Sequence, residues 1–104
     1  MININSVFIE DIINNNKYNI IDVRSSYDYY LGSIPNSIHL DKYDLLNKPS
    51  DYLDRNKLYC IYCEFGNTSG FVVERLNSLG YNTVNLVGGY ANYLLWKKNY
   101  NIIK

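Results

Sequence analysis

The chain has 104 residues, 47% of them hydrophobic, and its ten basic and ten acidic side chains cancel. That length suits one small domain over residues 1–104, with enough apolar material to bury a core without metal or disulfide staples. Zero net charge with no dense Lys/Arg patch argues against nucleic acid or an anionic membrane as main partner, and two cysteines exclude a disulfide scaffold. No apolar run approaches the roughly 20 residues that a membrane span needs. The beginning of the chain lacks a basic segment followed by an apolar one, so no secretory signal is expected and a reducing, cytoplasmic setting is the default. The twelve tyrosines read as amphipathic fillers of core edges, with a partner-binding surface as the sharper reading.

Taken in order, Ile2-Asn3-Ile4 reads as a short edge strand. Ser6 is the expected N-cap of a helix carrying Phe8, Ile9, Ile12 and Ile13, closed by Asn14 to Asn16. Asn19 to Val23 is apolar on both faces and reads as a central strand. Ser25 or Ser26 then caps a short helix over Tyr27 to Leu31, ended by Gly32 and Pro35. A strand is expected over Asn36 to Leu40, a helical turn after Asp41, and a loop at Lys48-Pro49-Ser50. Leu58 to Tyr62 is an apolar run of buried-strand length, and Phe71 to Leu79 a helix stopped by Gly80. Asn82 to Leu86 is a further strand. Gly88-Gly89 turns into a last helix over Tyr90 to Lys98, with Tyr93, Leu94 and Trp96 available to pack. Strands alternating with helices at short spacing imply α/β architecture, a small and mostly parallel central sheet with helices on both faces.

The stretch Cys63-Glu64-Phe65-Gly66-Asn67-Thr68-Ser69-Gly70 concentrates the chemistry. It places a cysteine where a strand ends and small or polar residues lead into a helix. Backbone N–H groups and the positive end of a helix dipole then converge on one sulfur. A thiol in that position is expected to favour its thiolate. Sites in parallel sheets also lie beyond the carboxyl ends of strands, where Cys63 falls.

Four stretches, in order, resemble the rhodanese-like family. Asp22-Val23-Arg24 with Asp28-Tyr29, Gly32 and Ile34-Pro35 is similar to that family's D-V-R-x-x-x-E-Y-x-x-G-H-I-P-G-A. Asp28 stands in place of Glu, Ser33 of His, and Asn36-Ser37 of Gly-Ala. The loop from Cys63 resembles C-x-x-G-x-[R/S/T]-S, and Leu79-Gly80-Tyr81 ends the helix in the family manner. Leu86-Val87-Gly88-Gly89-Tyr90 resembles L-x-G-G-F, followed by Tyr93 where Trp is frequent. The resemblance implies a three-layer rhodanese-like domain acting as a sulfurtransferase. It takes sulfane sulfur from a persulfide or thiosulfate donor and passes it to a thiol or cyanide acceptor through a persulfide on Cys63. It implies no cofactor and no metal, and a thioredoxin-like or sulfur-relay protein as a candidate partner. The amides of Glu64, Phe65, Gly66, Asn67, Thr68 and Ser69 would cradle the anion. Asp22, Arg24, Asp28, Gly88 and Gly89 would support the loop, with Arg24 paired to Asp22 or Asp28. The Thr68 and Ser69 hydroxyls would either donate to the sulfur or cap the helix. The loop carries no cation and Glu64 adds a negative charge, so thiosulfate is expected to be a poorer donor than a persulfide.

Rival chemistries fit less well. Phosphatases and arsenate reductases of related fold use Cys-x5-Arg, and the residue six beyond Cys63 is Ser69. Cys60-Ile61-Tyr62-Cys63 is formally C-x-x-C, but Cys60 lies inside the strand and is expected to face away from Cys63 as a core residue. His39, between Ile38 and Leu40, reads as structural, and with two cysteines falls short of a zinc ligand set. A non-catalytic rhodanese-like binding module is the alternative of a different class.

Overall fold

A computed structural model describes residues 5–103, with side chains through Asn99. Its strands are β1 (Ser6–Val7), β2 (Asn19–Asp22), β3 (Ile38–His39), β4 (Leu58–Tyr62) and β5 (Asn82–Leu86). Between and after them lie α1 (Ile9–Ile13), α2 (Ser26–Leu31), α3 (Lys42–Asn47), α4 (Asn67–Ser78) and α5 (Gly89–Ile103). The strands form one sheet in the order β1-β5-β4-β2-β3, and all four pairings are parallel. From β2 the chain moves outward to β3, then crosses back to β4 on the other side of β2. The crevice where strand order reverses is thus at the carboxyl ends of β2 and β4, the usual position for a site in such a sheet.

β4 explains the layering. Side chains alternate along a strand. Tyr59, Ile61 and Cys63 point into one core with Val72, Val73 and Leu76 of α4 and Leu45 of α3. Cys60 and Tyr62 point into the other, with Ile9 and Ile12 of α1 and Tyr93 of α5. Ile61, Leu76 and Leu86 are completely buried.

Several local expectations change. Ser6 does not cap α1: its backbone is engaged in β1, paired in register with Asn85, and the helix starts after Phe8. There the Asp11 carboxylate accepts the Phe8 N–H at 3.0 Å. The strand expected at Ile2-Asn3-Ile4 lies outside the described residues. Ser25 rather than Ser26 caps α2, accepting the Asp28 N–H at 3.1 Å. β3 is shorter than expected because Asn36 takes a left-handed φ of 68°, which belongs to a turn. Pro49–Asp51 is a 3₁₀ turn rather than an open loop. Asp41 caps α3 as expected, accepting from Tyr43 and Asp44. α5 turns Tyr93 inward, whereas Leu94 is exposed. No helix among the described residues is long and apolar enough to cross a membrane.

The buried Cys60 couples the core to pH. Burial pushes its thiol up to about 12 from 9.0. Burial, then the neighbouring Asp22, pushes the Tyr62 hydroxyl up as well. A raised folded pKa means the contribution is complete below the unfolded value and is lost as pH rises toward the folded one. Stability is therefore expected to fall from about pH 9 upward, by up to about 1.4 kcal/mol per pH unit from Cys60. Urea unfolding from pH 8 to 11 checks this: Cys60→Ala should flatten the slope above pH 9, and an unchanged slope would refute it.

Candidate active site

Cys63 follows the last residue of β4 and is 7% exposed. Its carbonyl accepts the Tyr90 N–H at 2.9 Å, and the Glu64 carbonyl accepts the Ala91 N–H at 3.0 Å. The first turn of α5 thus holds two loop carbonyls on its own side. Gly66 then takes a φ of 101°, the left-handed conformation that favours glycine, and reverses the chain into α4. Its N–H donates to Cys63 Sγ at 3.1 Å, and the Ser69 N–H donates to the same sulfur at 3.2 Å. The Ser69 hydroxyl lies 3.2 Å from Sγ and 2.6 Å from Asn85 Oδ1.

Ser69 is the third residue of α4, the position whose N–H an N-cap side chain normally satisfies. The Cys63 sulfur stands in for that side chain. This corrects the expected helix start. α4 begins at Asn67, four residues before Phe71, because the sulfur supplies the missing acceptor and Gly66 supplies the turn. The capping readings of Thr68 and Ser69 are also corrected: α4 has no side-chain hydroxyl cap. Ser69 directs its hydroxyl to the Cys63–Asn85 cluster, and no hydrogen bond joins the exposed Thr68 to the sulfur. Of the six amides expected to cradle an anion, those of Gly66 and Ser69 contact Sγ. Glu64, Phe65 and Asn67 are exposed around them.

Arg24 leaves the end of β2 and braces this region. Its Nε lies 3.0 Å and its Nη2 2.8 Å from Asp22 Oδ2, and Nη2 donates to the Gly32 carbonyl at 2.6 Å. The guanidinium carbon stacks 4.0 Å from the centre of the Tyr90 ring. Burial works against the charge, but the hydrogen bond and charge of Asp22 dominate together, with help from Tyr62 and Glu64, and hold the guanidinium above its ordinary value. Its Nη1 is 3.6 Å from Glu64 Oε2. Arg24 therefore links Asp22 to the loop, and the alternative partner Asp28 forms no ion pair with it. Asp28 instead serves α2 through its backbone, taking the Ser25 cap and accepting the Gly32 N–H.

The remaining candidates separate from the sulfur. Cys60 sits in the opposite core layer. His39 Nε2 bonds the Arg24 carbonyl at 2.6 Å, a structural contact. Gly88 and Gly89 form the turn behind the loop, backbone against backbone. Among the described residues no three His, Cys, Asp or Glu gather as a metal site. Asn85 is the residue that reading the sequence missed. A buried Asn in a central strand must find partners, and that was the available signal.

The model of the rhodanese-like domain family matches residues 8–95. The chain belongs to the rhodanese-like family. A solved rhodanese-related protein from Thermoplasma volcanium is 34% identical, with a TM-score of 0.79 over 86% of this chain and 89% of that one. YtwF of Bacillus subtilis is 36% identical over 70 residues, 67% of this chain and 67% of its own. The adenylyltransferase and sulfurtransferase uba4 of Ogataea parapolymorpha is 39% identical over 77 residues. That match takes in 71% of this chain but spans only 19% of that relative's length. The parallel sheet with flanking helices is the rhodanese fold, and this rhodanese-like chain has sulfurtransferases among its relatives.

The turn behind the loop gives a direct test of the scaffold. A Cβ on Gly89 would lie 2.5 Å from the Cys63 carbonyl oxygen and 2.7 Å from that of Glu64, at a φ of 62°. Gly89→Ala is expected to lower stability by about 1–3 kcal/mol and to loosen the loop. Urea denaturation together with the alkylation rate of Cys63 measures both; a variant matching the parent in both would contradict the packing.

Proposed function

We propose that this rhodanese-like chain is a sulfurtransferase that carries sulfane sulfur on Cys63. The observation that supports it is the coordination of Sγ by the Gly66 and Ser69 N–H groups at the positive end of α4. Loading begins when the Cys63 thiolate attacks the terminal sulfur of a donor persulfide R–S–SH. The donor S–S bond breaks, a new S–S bond forms on Sγ, and the electron pair leaves on the donor thiolate. With thiosulfate the leaving group is sulfite. Unloading reverses the polarity: an acceptor thiolate or cyanide attacks the outer sulfur, and Cys63 leaves as thiolate. No cofactor enters either step. The amides from Glu64 to Ser69 would serve the outer, anionic sulfur as they serve Sγ, while Asp22, Arg24, Gly88 and Gly89 hold the loop.

The buried sulfur favours donors that present one slender terminal atom, as a persulfide does. A protein partner has a place to approach. A groove of about 260 Å³ runs beside the loop along Lys42, Tyr43, Leu46, Thr68, Phe71 and Val72. Phe65 and Phe71 are each 68% exposed. We place a thioredoxin-like or sulfur-relay protein there as donor or acceptor, in keeping with the sulfurtransferase named among the relatives. A free thiol nucleophile of this kind works in a reducing, cytoplasmic compartment.

Incubation with a persulfide donor should add one sulfur atom to the protein mass, and Cys63→Ser should abolish the gain. Absence of the gain with every donor tried would instead assign the chain to non-catalytic binding.

Donor preference turns on Glu64. Arg24 brings a cation to the rim of the loop, which the loop's own sequence lacks, but Asp22 and Glu64 already face it. An incoming dianion meets the Glu64 carboxylate first. Glu64→Gln should raise kcat/KM for thiosulfate about fivefold, since repulsion across several ångströms of water is about 1 kcal/mol. Its effect on a persulfide, which carries at most one negative charge and is attacked as R–S–SH, should be smaller. A parent protein with a micromolar KM for thiosulfate, or equal effects on both donors, would overturn this assignment.

A further inference from the structure

We propose that Asn85 is a positioning residue that holds the Ser69 hydroxyl proton away from Cys63 while the sulfur is neutral, and so biases the site toward its sulfur-loaded state. The inference deepens the sulfur-carrier reading of Cys63 and rests on it.

The orientation of the Asn85 amide follows from its other partner. Its Nδ2 donates to the Gly66 carbonyl at 3.0 Å. That carbonyl can only accept, so the amide oxygen must face Ser69. Ser69 Oγ carries one proton and has two acceptors in reach, Asn85 Oδ1 at 2.6 Å and Cys63 Sγ at 3.2 Å. Only one can be served at a time. A neutral sulfur is a weak acceptor and the amide oxygen is closer, so the proton points to Asn85. A thiol can then donate its own S–H to the Ser69 oxygen.

A thiolate changes the balance, because a charged acceptor strengthens the bond. Turning the hydroxyl to sulfur would, however, strip the donor from Oδ1 of Asn85, a residue only 8% exposed. An unsatisfied buried acceptor costs about as much as the new bond gains. Asn85 thus competes with the bare thiolate for this proton. It does not compete with the persulfide, whose charge sits on the outer sulfur, one bond removed from Sγ. The site therefore stabilises the loaded cysteine relative to the empty thiolate.

The helix makes room for this arrangement. A Cβ on Gly70 would come within 3.2 Å of Asn85 Nδ2. Glycine inside a helix costs about 1 kcal/mol relative to alanine, and the Asn85 amide is what occupies the space gained. Charged groups on the elements that meet at the loop are Asp22 and Arg24 at the end of β2, Glu64 in the loop, joined through Arg24, and Lys42 of α3 on the adjoining groove. Exchange of Asn85 leaves all of them in place.

The test is the pH profile of Cys63 alkylation by iodoacetamide, followed by mass, in a double-mutant cycle. Asn85→Ala should lower the midpoint by about one pH unit, because the freed hydroxyl then donates to the thiolate. In a Ser69→Ala background the same exchange should leave the midpoint where it was. Asn85→Leu fills the vacated space and should repeat the result if the alanine variant does not fold. Ser69→Ala alone should move the midpoint by less than about half a unit, and this comparison decides if neither Asn85 variant folds. An unchanged or raised midpoint on exchange of Asn85, an equal fall without the Ser69 hydroxyl, or a rise of about a unit in Ser69→Ala would each overturn the proposal. Alkylation needs no turnover, whereas sulfur loading is read separately by mass gain. Failure of the positioning role is thus distinguishable from failure of the carrier reading.

Discussion

The first turn of an α-helix leaves N–H groups without partners inside the helix, and something must accept from them. In this molecule the acceptor for the third residue of α4 is the Cys63 sulfur. Much of the local architecture is a consequence of that single contact. The sulfur has to arrive from a strand end, so β4 ends beneath the helix. The chain has to reverse within three residues, so Gly66 adopts a left-handed conformation. The intervening carbonyls must turn away from an electron-rich atom, and the amides of Tyr90 and Ala91 hold those of Cys63 and Glu64. Because α5 approaches this closely, Gly89 has no room for a side chain.

A second framework stands beside the first. Asp22 is completely buried, and a buried carboxylate needs both a counter-charge and hydrogen bonds. Arg24 supplies them from the same strand end, and its backbone N–H adds a further bond at 2.7 Å. The pair is costly to split, since removing one member strands the other. It pins β2's exit against Gly32 and Tyr90, and so ties that strand to the helix behind the loop.

The sequence was informative where a feature depends on neighbours along the chain. β4 was readable from the apolar run at residues 58–62, and β5 from Thr83, Val84 and Leu86 in a short segment bounded by the glycines at 80 and 88. The cap at Asp41 was readable for the same reason. The strand–loop–helix around Cys63 was legible as a pattern, and the ordered motifs carried the family. What failed depends on distant partners. Gly70 reads as the last residue of the loop until Asn85, fifteen positions on, is placed against it inside the helix. Ser6 reads as a cap until β5 claims its backbone. The loop reads as lacking any cation until Arg24 arrives from another strand. Asn85 was read only as a member of the strand over 82–86, and its burial comes from tertiary packing around β5.

The alternation of side chains along β4 has one more effect. It puts the two cysteines of the chain on opposite sides of the sheet, each in its own core layer. Cys60 cannot reach Cys63 without unravelling the central strand. On the proposed sulfur-carrier reading, an atom loaded on Cys63 would therefore pass to a partner molecule rather than to Cys60. Release on that reading would be second-order, and the lifetime of the loaded protein would follow the concentration of its acceptor rather than any internal clock.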